Sequence, residues 1–464
     1  MRGSGGIRFA RPRASLVRPM QRGVRVEVSG WGRAPVREAI EVLDEDLRRA
    51  VCGASLTRGL GRSYGDASLP ARPGARVAAS RRADRLLAFD PASGVLRAEA
   101  GLSLARLSEW VWPRGFAVPV VPGTGHVTLG GMVAADVHGK NHHRAGSFGA
   151  HVRSLRLALA DGRELEVSAT QEPELFHATQ GGMGLTGHVL EVELSLTRIP
   201  TPWIWQETEP LRGLDHLLER LPAASAEWPF TVSFVDALAG GTALGRGALV
   251  KGRWAEPDEA PARPPRPGPE PAVPFDFPDW ALNRGSARLV NAAQRLLHRL
   301  RARSLVSPRA HFHPLDVLRD WNRGYGKRGF TQYQAVIPRE AGPKAVRRLF
   351  EALVASGEPA FLCVVKDFGA EGRGMLSFPR PGTTVSIDLP LRGARTQALV
   401  DALNRVVIEA GGRIYLAKDA LTRREHFAAM EGERLAAFDA VRRRFDPQRS
   451  LSSALSVRLF GDPA

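Results

Sequence analysis

Two cysteines, Cys52 and Cys363, are all that 464 residues contain. So small a number excludes a disulfide framework and suits a reducing, cytoplasmic setting. Long apolar runs are missing too: nothing nears the roughly 20 residues that a membrane-spanning helix requires. The basic start, MRGSGGIRFARPRASLVRPMQRG, lacks a continuous apolar core and reads as a poor signal peptide. Acidic residues are also in deficit, 48 against 65 Lys and Arg, for a net charge of +17. Such an excess draws a chain to nucleic acid or to an anionic membrane surface. Here arginine is spread along the whole sequence with much Ala, Gly and Pro, the mark of a GC-rich genome, so no nucleic-acid partner is expected.

What is present is enough chain for two domains. Residues 36–50 (VREAIEVLDEDLRRA) have helical periodicity and predict a helix. VRSLRLALADGRELEVS predicts a hairpin around Asp161-Gly162, and 187–200 predict a strand ending at Pro200. Residues 256–274 (EPDEAPARPPRPGPEPAVP) are too rich in Pro and charge for helix or ladder and read as an extended loop. A basic amphipathic helix follows over 286–306. GFTQYQAVIP, FLCVVKDFG and TTVSIDLPL read as strands, and PKAVRRLFEALVASG and TQALVDALNRVVIEAGG as helices. That order predicts a sheet with helices packed on one side.

Three glycine clusters lie in the first half. The first, Thr57 to Asp66, contains Gly59, Gly61 and Gly65. Glycines let successive backbone N–H groups face one anion, as a pyrophosphate needs. Neither the dinucleotide-binding fingerprint nor the Gly-Lys-Ser/Thr phosphate loop is matched, and a tight surface turn explains the pattern equally well. The second runs from Pro122 to His143, with small residues at Gly130, Gly131, Ala134 and Ala135 that admit a flat ligand. His138, His142 and His143 lie close in sequence, but no carboxylate or thiolate completes a ligand set, so no metal is expected. The third is Thr179 to Gly187. Three such loops around short strands favour a large phosphate-bearing cofactor.

At these residues the sequence resembles the FAD-binding domain of the vanillyl-alcohol oxidase/p-cresol methylhydroxylase (PCMH) superfamily. More closely, TRGLGRSYGD, VTLGGMVAADVHGKNHHRAGSFGAHVRS and GGMGLTG are similar to the polyprenylphosphoryl-ribose 2-oxidases within it. The similarity continues through HFHPLDVLRDWNRGYG, GFTQYQAVIP, KDFG, LSFPRPG and RIYLAKDA. It implies an α+β, two-domain fold: a PCMH-type FAD-binding domain with an inserted α+β substrate domain, an antiparallel sheet covered by helices. Residues 1–200 (a basic tail at 1–25) would form the FAD-binding part, 201–405 the substrate-binding part, and 406–464 a segment returning to the first. The cofactor would lie against Gly59, Leu60, Gly61, Arg62, Ser63, Tyr64, Gly65 and Asp66 of the first loop. Gly123, Thr128, Leu129, Gly130, Gly131, Ala135, Asp136, Val137 and His138 of the second would line it, with Val189 and Tyr415. Some relatives bind flavin covalently through a histidine of the first loop; Arg62 stands there here, which implies non-covalent FAD.

The reaction implied is oxidation of the ribose 2-hydroxyl of a polyprenyl-phosphate-linked ribose to the 2-keto sugar, the first half of an epimerisation to the arabinose donor. A separate NAD(P)H-dependent reductase would complete it. A free polyol, alditol or aldonolactone is the alternative substrate, and a basic binding protein without redox activity the alternative class. Oxidising a secondary alcohol needs its C–H aimed at the flavin and a group that takes the hydroxyl proton. Lys418, after the apolar run Ile414-Tyr415-Leu416, is the candidate, with Tyr64 and His138 beside it. Lys140, Lys366, Gln332, Gln334 and Ser386 are candidates for holding substrate, Asp388 a weaker one. Gln332 and Gln334, two apart on a strand, share a face. Ser386 stands where actinobacterial relatives carry a cysteine, and Phe234 where a tryptophan is expected. The expected location is cytoplasmic or peripheral on the inner membrane face, the periplasmic side left open, with the basic 286–306 segment as a candidate for membrane contact.

Overall fold

A computed structural model describes residues 22–266, 268–300 and 302–464; the tail expected over 1–25 falls almost wholly outside them. The chain begins with β1 (Val24–Ser29), β2 (Val36–Leu43), α1 (Leu47–Ala50), β3 (Leu56–Arg58) and β4 (Ala75–Ala79), whose strands form a sheet in the order β1-β2-β4-β3. The helix predicted over 36–50 is therefore mostly strand. Ala39 and Val42 are fully buried, and their spacing of three imitates a helical stripe. But Val36, Ile40 and Val42 are β-branched, and β2 pairs on both edges, antiparallel to β1 and parallel to β4. Pairing overrides a short periodic signal.

β5 (Leu86–Asp90), β6 (Val95–Glu99), α2 (Leu104–Val111), β7 (Phe116–Ala117), α3 (Leu129–Ala134) and α4 (His142–Ala145) follow. Ser103 caps α2 by accepting from Arg106 N, and Leu104, Leu107 and Val111 bury its inner face. β8 (Val152–Ala158) and β9 (Glu164–Ser168) make the predicted hairpin, with Gly162 at φ 87° supplying the left-handed turn residue. After α5 (Pro173–Thr179), the strand predicted over 187–200 is β10 (His188–Ser195) plus the short β11 (Thr197–Arg198). The antiparallel sheet order is β5-β6-β10-β8-β9.

The rest builds one eight-stranded antiparallel sheet. β12 (Ile204–Leu211), α6 (Leu214–Glu227), β13 (Phe230–Val235) and β14 (Gly247–Trp254) come first. Within 256–274 the described residues form no helix or strand, as predicted, apart from a bridge between Ala272 and Arg319. The helix predicted over 286–306 is α7 (Arg284–Leu300), and Arg303–Val306 are instead edge strand β15, paired to β12 from Glu207 to Ile204. Then come α8 (Pro308–Phe312), β16 (Phe330–Pro338), α9 (Gly342–Ser356), β17 (Cys363–Phe368), β18 (Gly382–Pro390), α10 (Ala394–Glu409), β19 (Arg413–Ile414), α11 (Arg424–Glu431), α12 (Glu433–Phe445) and α13 (Ala454–Phe460). The sheet order is β15-β12-β14-β13-β17-β18-β16-β19.

Alternation along these strands separates two faces. Tyr333, Ala335, Ile337, Cys363, Val365, Val385 and Ile387 share one core with Leu217 and Leu221 of α6, Leu349, Phe350 and Leu353 of α9, and Leu403 and Val407 of α10. The residues between them face the other way, toward the glycine loops.

The last helix closes the fold onto those loops. From α13, Arg458 reaches Asp66 of the first glycine loop at 2.7 Å and Asp419, next to Lys418, at 2.8 Å; both carboxylates are buried. Removing one partner of a buried ion pair costs about 3–5 kcal/mol, because the remaining charge is left unpaired. Arg458→Met should lower the unfolding free energy by that order, read from urea denaturation; a change below about 1 kcal/mol would show the bridge to be dispensable.

Candidate active site

Between the glycine loops and the polar face of the large sheet lies a cavity of about 290 Å³. One wall is the first loop. There the backbone N–H groups of Leu60, Gly61, Arg62 and Ser63 have no acceptor among the described residues, and Gly61 turns the chain at φ 64°. Unpaired donors beside a cavity fit an anion. Loops one and two touch: a Cβ on Gly59 would lie 2.5 Å from Thr128 Oγ1. At Gly123 and Gly184 a Cβ would meet nothing within 4 Å, so the backbone opens onto free space. This wall, with Gly130, Gly131, Ala134, Ala135, Val137 and Val189 behind it, fits a long, flat, phosphate-bearing group such as FAD.

Of the residues predicted to hold the cofactor, Gly59 to Tyr64, Gly123, Thr128, Gly130, Gly131, Ala135, Val137, His138, Val189 and Tyr415 line the cavity. Gly65, Asp66, Leu129 and Asp136 do not, and each is packed away from it. A Cβ on Gly65 would lie 2.0 Å from Asp419 O. Asp66 is committed to Arg458. Leu129 is fully buried in the core. Asp136 accepts from Ser147 Oγ and from Gly149 N, both at 2.7 Å, and from Ser377 Oγ; its burial raises its pKa.

The opposite wall carries the predicted chemistry. Gln332, Gln334, Lys366, Ser386 and Lys418 line it, and Lys140 lines the cavity from the second glycine cluster. In register, Gln334 lies opposite Ser386, and Ser386 opposite Val364, so β16, β18 and β17 present one surface. Lys418 Nζ sits 3.8 Å from the centre of the Tyr64 ring, and Tyr64 N bonds Ala417 O at 2.9 Å, which ties the first loop to the Lys418 segment. Burial pushes the Lys418 ammonium below its ordinary range, while Asp388 pulls it up. Asp388 does not line the cavity. It accepts from Tyr325 OH at 2.9 Å and from Gln332 Nε2, and burial raises its own pKa. Burial, with Asp388 nearby, pushes the Tyr64 phenol well up.

His138 sits among Phe368, Phe378 and Tyr415. Its Nδ1 is 3.0 Å from Lys366 Nζ and its Nε2 3.0 Å from Gln334 Nε2. Burial brings Lys366 down to about 7, with Lys418 and Lys140 adding to the effect; burial alone brings Lys140 to about 7. Lys140 Nζ donates to His311 O.

The structure adds residues that no motif assigned. Phe312, Pro314, Leu315, Asp316 and Trp321 line the cavity, as do Trp31, Leu362 and Val364. The Arg62 guanidinium stacks on Trp31 at 3.8 Å, and Asp316 accepts from Gly125 N at 2.8 Å. For Phe312, Pro314, Leu315, Asp316 and Trp321 the sequence signal was the stretch HFHPLDVLRDWNRGYG, which carried resemblance without roles. His142 and His143 do not line the cavity.

Residues 45–168 match the family model described as an FAD binding domain. Over 451 residues the chain is 35% identical to decaprenylphosphoryl-β-D-ribose oxidase of Mycolicibacterium smegmatis, covering 93% of this chain and 96% of that protein. It is 36% identical over 373 residues to an uncharacterized protein in the mprA 5' region of Streptomyces coelicolor, covering 77% of this chain and all of that one. A putative D-arabinono-1,4-lactone oxidase of Neurospora crassa is 28% identical over 109 residues, only 24% of this chain.

The buried histidines set a pH dependence. Burial lowers His142 to about 3 and His188 and His313 to about 4, and holds His138 and His311 well below their ordinary value. In the unfolded chain each takes up a proton near pH 6.5. Between about pH 6.5 and about pH 4 the unfolded chain thus binds more protons, and stability falls as pH falls, by up to about 1.4 kcal/mol per pH unit for each group. Urea denaturation at about pH 7 and about pH 5 checks this; equal stability at both would contradict neutral burial of the rings.

Proposed function

The chain belongs to the decaprenylphosphoryl-β-D-ribose oxidase family, FAD-dependent oxidoreductases acting on CH–OH groups, and from that premise we propose that it oxidises the ribose 2-hydroxyl of a polyprenyl-phosphate-linked ribose to the 2-keto sugar. Family membership removes the non-redox binding protein anticipated as an alternative. The observation that carries the substrate reading is the polar lining: Lys418 over Tyr64, two glutamines on one strand, and two further buried lysines, all in one cavity with the loops that fit FAD.

FAD supplies the hydride acceptor. The protein's part is the other half of the reaction. Lys418, desolvated and therefore a weaker acid-binder than an exposed lysine, takes the hydroxyl proton on its neutral amine as the C–H bond breaks. The Tyr64 ring fixes the position of Nζ. Gln332, braced by Asp388 from behind, and Gln334, braced by His138, offer amides to the sugar hydroxyls. Arg62 supplies the positive side of the cavity toward the phosphodiester, and Lys140 and Lys366 add donor nitrogens. Ser386 gives a hydroxyl at the position of the relatives' cysteine. A separate NAD(P)H-dependent reductase would convert the keto sugar onward, and the protein would meet its lipid substrate peripherally at a membrane.

Two outcomes test this. Anaerobic mixing with decaprenylphosphoryl-ribose should bleach the flavin absorbance, and free alditols should not; no bleaching refutes the lipid-ribose substrate while leaving FAD binding intact. Lys418→Ala should retain FAD and bleach about 10²- to 10⁴-fold more slowly, the usual contribution of a positioned base. Because the amine is the active form, the wild-type bleaching rate should rise with pH and level off once Lys418 is deprotonated. A Lys418→Ala rate equal to wild type removes this residue from the reaction.

A further inference from the structure

Helix α7 is mounted inside out. Its polar side faces the body, where Asn291 Nδ2 donates to Asp236 Oδ1 at 3.2 Å and Arg295 Nη1 donates to Asp236 Oδ2 at 2.9 Å. His298 stacks on Phe234 at 5.3 Å. Its leucines face out: Leu289 is 72% exposed and Leu296 58%, with Leu297 and Val290 exposed beside them. Surface helices ordinarily do the reverse, burying the apolar stripe and showing the polar one. The leucines here therefore stabilise nothing in the folded chain, and water contact is unfavourable for them.

The two carboxylates that closely precede the helix are paired, Asp276 with Arg33 and Arg323 and Asp279 with Arg328. No acidic residue occurs between Arg284 and Leu300, and Arg288 is exposed among the leucines. Just before the helix, Trp280 is 80% exposed, and Phe275 and Phe277 stack on each other in the open. That segment is bonded along the strip that follows Leu315: Val273 N donates to Arg319 O and Phe277 N to Arg323 O, both at 3.0 Å. The surface is continuous with the cavity, since Phe234, Leu315 and Trp321 line it.

We propose that the outward face of α7, with Trp280, Phe275 and Phe277, is the surface on which this protein lies against an anionic lipid bilayer. The inference rests on the polyprenyl-linked substrate proposed above, whose tail stays in the bilayer, so that the cavity must come to the membrane. Leucine, aromatic rings and arginine, with no carboxylate on the helix and those beside it paired, are the chemistry of an interfacial surface: the apolar side chains enter the acyl boundary, the rings sit at headgroup depth, and the guanidinium groups meet lipid phosphates. A second copy of this chain is a poorer occupant, because a two-fold contact centred on α7 sets Arg288 against its own counterpart.

Flotation with phosphatidylcholine vesicles, with and without phosphatidylglycerol, tests the proposal on the FAD-loaded protein in the absence of sugar substrate. Wild type should float with the phosphatidylglycerol vesicles, less so at high salt. Leu289→Gln/Leu296→Gln, which alters only exposed side chains, should lower binding about tenfold or more, and Trp280→Ser should also weaken it. The double variant should keep FAD and oxidise a short-chain, water-soluble phosphoryl-ribose at the wild-type rate, while slowing on the long-chain substrate in vesicles. Absence of vesicle binding by wild type, or equal binding by the double variant, overturns the proposal. So does a wild-type dimer that the double variant dissociates with vesicle binding unchanged, which assigns the face to a protein contact. Failure of the lipid-ribose to bleach flavin, with vesicle binding retained, refutes the reaction and not the surface.

Discussion

One arginine holds the candidate site in register. Arg458 lies near the end of the chain, yet its guanidinium bonds Asp66 at the end of the first glycine loop, Asp419 beside Lys418, and Thr422 O. The first glycine loop and the lysine proposed as proton acceptor come from opposite ends of the sequence. Both are fixed by the same planar fork, whose several donors suit bidentate carboxylate contacts better than an ammonium does. Its two carboxylates in turn keep the guanidinium protonated, raising it above its ordinary value despite burial. Tyr64 N to Ala417 O adds a second, backbone tie across the same seam. The 3.8 Å approach of Lys418 to the Tyr64 ring follows from these two ties.

The large sheet divides its labour by the same period of two that builds it. On β16, Tyr333, Ala335 and Ile337 bury against helices while Gln332 and Gln334 face the cavity. Buried amides are unfavourable unless bonded, and each glutamine has a partner behind it, Asp388 for Gln332 and Thr384 with His138 for Gln334. The helices thus keep the strands rigid from one side, and the hydrogen bonds fix side-chain direction on the other. A site built on paired strands holds its geometry more tightly than one on loops.

This division explains what the sequence revealed. Strands such as 329–338 and helices such as 342–357 were legible because long periodic segments carry their own signal. Gln332 and Gln334 were legible because polar residues at a spacing of two are out of place on a central strand unless something binds them. Segment 36–50 was misread because two buried positions three apart look helical in a strand paired on both edges. Asp66 and Asp136 were misplaced because motif membership does not say which way a side chain turns: Asp66 serves Arg458, more than 390 residues away in sequence, and Asp136 serves two serines and a backbone N–H. The inverted mounting of α7 was hidden for the same reason. Its amphipathicity was readable, but the side facing the body depends on Asp236, which only the fold brings near.

The hydrogen-bond pattern around His138 bears on the protonation of Lys366. Thr384 Oγ1 donates to Ala335 O at 2.9 Å, so toward Gln334 Nε2, at 3.1 Å, it must accept. That orients the Gln334 amide, whose second N–H points to His138 Nε2 at 3.0 Å. A neutral imidazole accepts at one nitrogen and donates from the other. With Nε2 accepting, the proton is on Nδ1 and is donated to Lys366 Nζ, which must then be the neutral amine. This agrees with its pKa of about 7 and with the depressed basicity of His138. Lys140 and Lys418 are held down by the same burial. At Lys366 the charges of Lys418 and Lys140 add to that burial. The pattern thus favours a neutral Lys366 beside His138, and the lasting positive charge on the cavity lining is the Arg62 guanidinium stacked on Trp31.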